Sequence, residues 1–445
     1  MRTRTASAAG LLLARPTTTS VCSKCLHDDP LITGISNQTR KYRPTRPRNV
    51  SPFGAAVSAA QTIFKGIPKA PPGISVDPLR IVGKELKFLT KNIRQLLGSG
   101  HPALDKVAKY YTQSEGKHMR PLLVLLMSQA TALDPRKDSS SASTRSVDNP
   151  LSSPSILDDT NPDMNPLVSR SAEVQYDFSG DDNILPSQRR LAEITELIHT
   201  ASLLHDDVID NAVTRRASSS ANTAFGNKMA VLAGDFLLGR ASVALARLRD
   251  PEVTELMATV IANLVEGEFM QLKNTAQDES KPQYTDETLS YYLQKTYLKT
   301  ASLISKSCRS AAVLGRSAPE VVEAAYSYGR NLGLAFQLVD DMLDYTVTEA
   351  ELGKPAGADL ELGLATAPLL FAWESNPELG PLVGRKFREE GDAREIVHRS
   401  NGVEQTRALA QEYADKAVAA ISDFPDGEAK TGLIEMCEKT MRRRK

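Results

Sequence analysis

The sequence predicts an all-α protein built as a single large helical bundle. From residue 77 onward apolar residues recur at spacings of three and four. Runs of alternating β-branched residues are few, so a sheet has little to form from. The pattern also begins abruptly, at Asp77-Pro78, a good N-cap followed by Pro at the first helical position.

After that cap, Leu79, Val82, Leu86, Leu89, Ile93 and Leu96 lie along one helix face. Further helical patterns cover Leu122–Thr131, Ser187–Asp210, Lys228–Arg249, Glu252–Thr275, Asp286–Leu314 and Ala318–Asp344. Toward the C-terminus come Thr366–Glu374, Ala393–Arg399, Asn401–Ile421 and Asp426–Arg442. No stretch of about 18 consecutive apolar, uncharged residues occurs, which predicts no membrane span.

Two segments stand outside this pattern. Residues 1–76 carry eleven basic side chains against two acids, Asp28 and Asp29. The first 27 have Arg2, Arg4, Arg15 and Lys24, many Ser, Thr and Ala, and no acid. That composition predicts a mitochondrial presequence running into a disordered linker. Residues 134–186 are crowded with Ser, Asp, Asn and Pro; so little apolar surface does not offset the entropy of ordering. This predicts a disordered insertion within a domain spanning 77–445. The acidic pairs Asp158-Asp159 and Asp181-Asp182 inside it follow no amphipathic pattern and receive no role.

Charge and cysteine usage exclude other classes. The chain is neutral overall, so the body beyond the basic leader is mildly acidic, which argues against nucleic-acid binding. Cys22 and Cys25 form a lone C-x-x-C without a second pair, and Cys308 and Cys437 read as buried thiols. Neither a zinc site nor a disulfide framework follows.

Two aspartate clusters dominate the chemistry: Asp206-Asp207-Val208-Ile209-Asp210 and Asp340-Asp341-Met342-Leu343-Asp344. Each is D-D-x-x-D at the end of a long apolar helix, which stacks Asp206 with Asp210 and Asp340 with Asp344. Like charges one turn apart are costly unless something neutralises them. A hard divalent cation such as Mg²⁺ takes carboxylate oxygen and bridges to phosphate. Cations are placed to complete such a site. Gly116-Lys117-His118-Met119-Arg120-Pro121 opens an apolar helix, an anion-binding arrangement. Arg215-Arg216 follow the first cluster, Lys354 follows the second, and Lys299-Thr300 lie in a helical pattern.

The stretch from Ile198 to Asp207 resembles the first aspartate-rich motif of the trans-isoprenyl diphosphate synthases. Gly333 to Asp341 resembles the second, and Gly353 to Leu360 is similar to the loop after it. The match runs from about Asp77 to the C-terminus and is most like the mitochondrial long-chain polyprenyl synthases of ubiquinone biosynthesis. The resemblance implies an isoprenoid synthase fold with its site in a central cavity. It implies Mg²⁺-dependent condensation of an allylic diphosphate primer with isopentenyl diphosphate. Metal would be held by Asp206 and Asp210 from one side, with Asp207 adjacent, and by Asp340 from the other, with Asp341 and Asp344 acting directly or through water. Arg215, Lys299 and Lys354 would touch the allylic diphosphate; Lys117, Arg120, His199 and Arg216 would hold isopentenyl diphosphate. Thr300 and Gln337 would line the path of the carbocation. A homodimer, or else a heteromer, is expected, with membrane contact at product release on the matrix side. The alternatives are a class I terpene cyclase, which needs no second diphosphate site, and a non-catalytic subunit, which would lose its aspartates.

Ala201 and Ser202 precede Asp206 by about one turn. A turn rises ~5 Å, close to one isoprene unit. Two small residues there leave the floor open, which predicts a long product of roughly six to ten units.

Overall fold

Asp77 opens the fold as expected: its carboxylate accepts from the Leu79 amide at 3.3 Å, and Lys439 pairs with it at 2.8 Å. The computed structural model describes residues 77–97, 99, 101–113, 118–132, 146–147, 151–152, 183–215, 218–276, 282–346, 358–385, 387 and 391–443. These lie in the unit Gly73–Lys445. The expected presequence and linker, with Cys22 and Cys25, fall outside the described residues, as do Asp158-Asp159 and Asp181-Asp182.

The described elements are α1 (Pro78–Ile81), α2 (Gly83–Leu96), α3 (Pro102–Ala108), α4 (Tyr110–Gln113), α5 (Met119–Thr131) and α6 (Pro186–Ile209). A two-stranded hairpin follows, β1 (Thr214–Arg215) antiparallel to β2 (Ser218–Ser219). Then come α7 (Ala221–Phe225), α8 (Asn227–Arg247), α9 (Pro251–Ala276), α10 (Asp286–Thr296), a π-helical turn (Tyr297–Ala301), α11 (Ser302–Leu314) and α12 (Pro319–Thr346). The C-terminal part holds α13 (Ala358–Glu361), α14 (Ala367–Ser375), α15 (Leu379–Gly384), α16 (Gly391–Arg399), α17 (Gly402–Ala420) and α18 (Glu428–Met441). The protein is all-α, as the periodicity predicted.

Packing explains the order. α6 lies against α8 and α5, and α12 against α11 and α17. One apolar cluster runs through α2, α5, α6, α8, α9, α11 and the first half of α12. A second joins α10, the last turns of α12 and α14 through α17. α12 thus passes from one core to the other and ends in aspartates. Two glycines let it approach closely. A Cβ at Gly329 would sit 2.7 Å from Ser305 Cα, and one at Gly333 2.6 Å from Ala301 Cα. Gly is the residue that permits backbones to meet this way.

Three expectations need correction. The helix from Leu79 breaks at Val82, whose backbone (φ −108°, ψ 24°) ends α1. The break rotates Leu79 outward to 46% exposure, while Leu97, beyond the expected stripe, is fully buried. The stretch 286–314 is interrupted by the π turn, which inserts a residue into the helical repeat. The segment 134–186 is not wholly outside the body: Ile184 is buried, Val147 packs on the main core, and Arg249 donates to the Ser146 carbonyl at 3.1 Å. These are apolar footholds in a polar segment. α8 passes a length-and-composition test for a membrane span, as core helices also do. Its apolar character covers two faces: Ala233, Leu237 and Ala241 face the core, and Leu232 and Val243 are exposed.

Candidate active site

The first cluster is made by the way α6 stops. Asn211 adopts a left-handed backbone (φ 50°), and the Ala212 amide closes on the Asp207 carbonyl at 2.9 Å. The chain then turns into the β1–β2 hairpin, which carries Arg215 back so that its Nε lies 2.5 Å from Asp207 Oδ1. Asp207 is fully buried. Its other oxygen accepts from the Tyr111 hydroxyl.

Asp206 and Asp210 are placed differently. Burial pushes the Asp206 carboxyl up to about 6, with Glu268 and Asp210 adding to the effect and Lys299 and Arg215 opposing it. Burial also raises Asp210, with Lys299 opposing. Helix C-termini disfavour negative charge as well. The pair is an assembly of carboxylates short of positive charge.

The second cluster occupies the last turns of α12. Asp341 Oδ1 accepts from Gln337 Nε2 at 2.8 Å, and its Oδ2 accepts from the Tyr292 hydroxyl. Burial lifts Asp341 to about 6; the Tyr292 and Gln337 hydrogen bonds and Lys295 oppose this, and Asp340 adds to it. Asp344 is buried and accepts from the Asp359 amide at 3.2 Å. Asp340 is more open and pairs with Arg443 at 3.2 Å.

The π turn joins the two. Lys299 lies 2.5 Å from Glu268 and donates to Gln271 at 3.1 Å, on the side of Asp206 and Asp210. Thr300, the next residue, donates to Gln337 Oε1 at 2.9 Å, on the side of Asp341. Both carboxylate sets therefore bear on one short stretch of backbone. Their oxygen donors suit a hard divalent cation, although among the described residues no three acidic, His or Cys side chains converge on one point.

At the start of α5, Arg120 Nη1 meets His199 Nε2 at 3.0 Å, while His118 reaches Glu196 at 3.1 Å. Two expected members of one anion site thus come together. Lys117, Arg216 and Lys354 lie outside the described residues. Ala201 is fully buried in the main core. Ser202 is half-buried and donates to the His199 carbonyl at 2.9 Å.

Sequence reasoning missed Tyr111, Glu268, Gln271, Tyr292, Lys295 and Arg443. Tyrosines have no charge pattern to betray them. Lys295 stands four residues before Lys299, on the same helix side, and is buried. Glu268 follows Gly267, where a Cβ would sit 2.7 Å from Lys299 Cγ, a contact only the fold reveals.

Comparison with known proteins places the chain in a family. The family model described as polyprenyl synthetase matches residues 166–399. The chain belongs to the polyprenyl synthetase family. A Neurospora crassa protein named "Probable hexaprenyl pyrophosphate synthase, mitochondrial" is 63% identical over 100% of both chains. The Saccharomyces cerevisiae protein named "Hexaprenyl pyrophosphate synthase, mitochondrial" is 44% identical over 93% of this chain and 99% of its own. Among solved structures, a Caulobacter crescentus polyprenyl synthase complexed with calcium and isoprenyl diphosphate has a TM-score of 0.67 and 28% identity. It covers 85% of this chain and 100% of its own. This polyprenyl synthetase is thus an enzyme that transfers prenyl groups, with the isoprenoid synthase fold, and the terpene cyclase alternative falls away.

Proposed function

We propose that this polyprenyl synthetase is a mitochondrial trans-polyprenyl diphosphate synthase. It condenses an allylic diphosphate with successive isopentenyl diphosphates, for the ubiquinone side chain. The observation that carries the reading is the π turn, where Lys299, paired with Glu268, bears on Asp206 and Asp210 through its charge, and Thr300 donates to Gln337, which in turn donates to Asp341.

In this reading Asp206, Asp210, Asp340 and Asp344 would hold Mg²⁺, for which their donor set is suited. Bound Mg²⁺ supplies charge neutralisation for a diphosphate leaving group. Lys299 and Arg215, with Lys354, hold the allylic diphosphate. Arg120 and His199, with Lys117 and Arg216, fix the diphosphate of isopentenyl diphosphate, leaving its double bond aimed at the allylic carbon. The allylic C–O bond breaks, the double bond supplies the electron pair for the new C–C bond, and the departed diphosphate accepts the released proton. Thr300 and Gln337 face the developing cation with oxygen dipoles. Buried apolar neighbours such as Leu338 and Leu298 keep water from quenching it.

Small residues at 201 and 202 support a long product, and the names of the fungal relatives support six units within the range of about six to ten. Each five-carbon unit gains about 4 kcal/mol when buried, so release is slow and aided by a membrane surface on the matrix side. A homodimer is favoured by the exposed apolar side chains of α8 and α9: Leu232, Val243, Val265 and Phe269. The test is incubation of the protein with Mg²⁺, radiolabelled isopentenyl diphosphate and farnesyl or geranylgeranyl diphosphate, followed by sizing of the products. Long all-trans chains are expected; release of a cyclised hydrocarbon from the primer alone would overturn the reading.

A further inference from the structure

The two aspartate clusters share a detail that the repeated motif does not reveal. In each, the second aspartate already has both oxygens engaged. Asp207 accepts from Arg215 on one oxygen and from Tyr111 on the other. Asp341 accepts from Gln337 on one and from Tyr292 on the other. Both aspartates are buried, Asp207 with 0% exposure and Asp341 with 3%. In both cases a tyrosine arrives from a different helix, Tyr111 from α4 and Tyr292 from α10.

Each tyrosine is itself oriented by a further donor. The Ala221 amide donates to the Tyr111 oxygen at 2.8 Å, so the phenol proton is directed onward to Asp207. Thr296 hydrogen-bonds the Tyr292 hydroxyl. A hydroxyl that already accepts has one proton left to give, and the carboxylate receives it. Burial raises both phenols, which keeps them protonated as donors. A cation completes each arrangement: Arg215 at 2.5 Å from Asp207, and buried Lys295, whose charge favours that of Asp341.

We propose that Tyr111 and Tyr292 are paired positioning residues. They anchor Asp207 and Asp341 as fixed posts, so that the aspartates one residue before and three after present their carboxylates to the metal–diphosphate. At the first cluster the helical repeat gives this division of labour; at the second, Asp340 is the open carboxylate, and Asp344 is buried like Asp341 and accepts from the Asp359 amide. Residues i and i+4 share a face, and the residue at i+1 points about 100° away, into the protein. An aspartate aimed inward is costly unless satisfied, and the tyrosines satisfy it. The same solution appears at both clusters on unrelated surrounding elements. Partners behind metal ligands typically change metal affinity by about 10- to 100-fold when removed.

This inference rests on the reading of the outer aspartates as metal ligands, and the experiment separates the two. Free Mn²⁺ is measured by electron paramagnetic resonance while the full chain is titrated in the presence of inorganic pyrophosphate. Asp206→Asn and Asp340→Asn test the underlying reading: unchanged Mn²⁺ affinity in both would remove it. Tyr111→Phe and Tyr292→Phe test the proposal. Each keeps the ring and deletes the hydroxyl, and each is expected to weaken Mn²⁺ by about tenfold or more. Tyr111→Phe combined with Asp207→Asn is expected to bind no more weakly than Asp207→Asn alone, and likewise Tyr292→Phe with Asp341→Asn. Additive losses would mark the tyrosines as general packing residues and overturn the proposal, as would unchanged affinity in the two Phe variants. If a Phe variant fails to fold, the Asp→Asn variant of its own pair reads the same contact. Affinity unchanged from wild type there would also overturn it.

Discussion

Lys299 and Thr300 are consecutive, yet they serve opposite halves of the site: Lys299 pairs with Glu268 at 2.5 Å and Thr300 donates to Gln337 at 2.9 Å. An ordinary α-helix also separates neighbours by about 100°, but here they fall within a π turn packed on α12 at Gly333. π turns recur at functional sites because the extra residue re-aims side chains.

Gly333→Ala tests this relationship. The added Cβ would lie 2.6 Å from Ala301 Cα, backbone that cannot rotate away. Overpacking of this kind costs about 1–3 kcal/mol. Thermal denaturation should show that loss. Turnover should fall further than stability alone explains, because Thr300 and Gln337 are drawn apart. A variant with normal turnover and a lowered melting temperature would show that the turn positions nothing.

The anion site makes a selective prediction. Arg120 and His199 meet at 3.0 Å, while Lys299 pairs with Glu268. His199→Ala and Arg120→Ala should raise KM for isopentenyl diphosphate about tenfold or more, the scale of a lost charge-assisted hydrogen bond. KM for the allylic primer should stay close to wild type. Steady-state kinetics with each substrate varied in turn checks this; equal rises in both values would contradict two separate diphosphate sites.

Much of this was legible beforehand because it rests on period and charge. The stripes on α6 and α12, the Asp77 cap and both aspartate clusters follow from spacing alone. What stayed hidden depends on contacts between distant segments. Nothing local says that Tyr111 meets Asp207, or that Arg443 reaches Asp340 and stacks on Phe336 at 4.6 Å. The break at Val82 and the π turn were hidden for another reason. A slip of one residue barely disturbs a three-four apolar pattern, so periodicity does not report it.

Chain length should respond to bulk at the floor of the site. Ser202 is half-buried while Ala201 is enclosed in the core. Ser202→Phe should shorten the product with little effect on folding. Ala201→Phe should shorten it too, and should in addition lower stability by about 1–3 kcal/mol from overpacking. Product chromatography and calorimetry on both variants check the pair. Unchanged product length in both would place the floor elsewhere.

The exposed apolar side chains of α8 and α9 predict an oligomer. Phe269 is 68% exposed and Leu232 58%, an unusual burden for a free surface. Phe269→Glu, or Leu232→Glu, should convert a dimer to a monomer by light scattering, since a charge without a partner is costly to bury. A wild-type protein that scatters as a monomer would refute the assignment of this face.

The acid response carries a sign that follows from burial. In protein stripped of divalent ions, Asp206 and Asp341 are each held at about 6. An unfolded carboxylate titrates near 3.9. Between those values the native state binds protons that the unfolded state does not. Stability contributed by these groups therefore falls as pH rises through about 4 to 6, by at most about 1.4 kcal/mol per pH unit for each carboxylate. The metal-stripped protein should melt higher at pH 5 than Asp206→Asn and Asp341→Asn would lead one to expect from their flatter profiles. With Mg²⁺ the direction reverses, because the ion binds the ionised form. Its affinity should weaken as pH drops below about 6, where protons compete for the same oxygens. Melting curves with chelator and with saturating Mg²⁺, taken across this range, check both signs; parallel curves would mean that Asp206 does not take part in binding the ion.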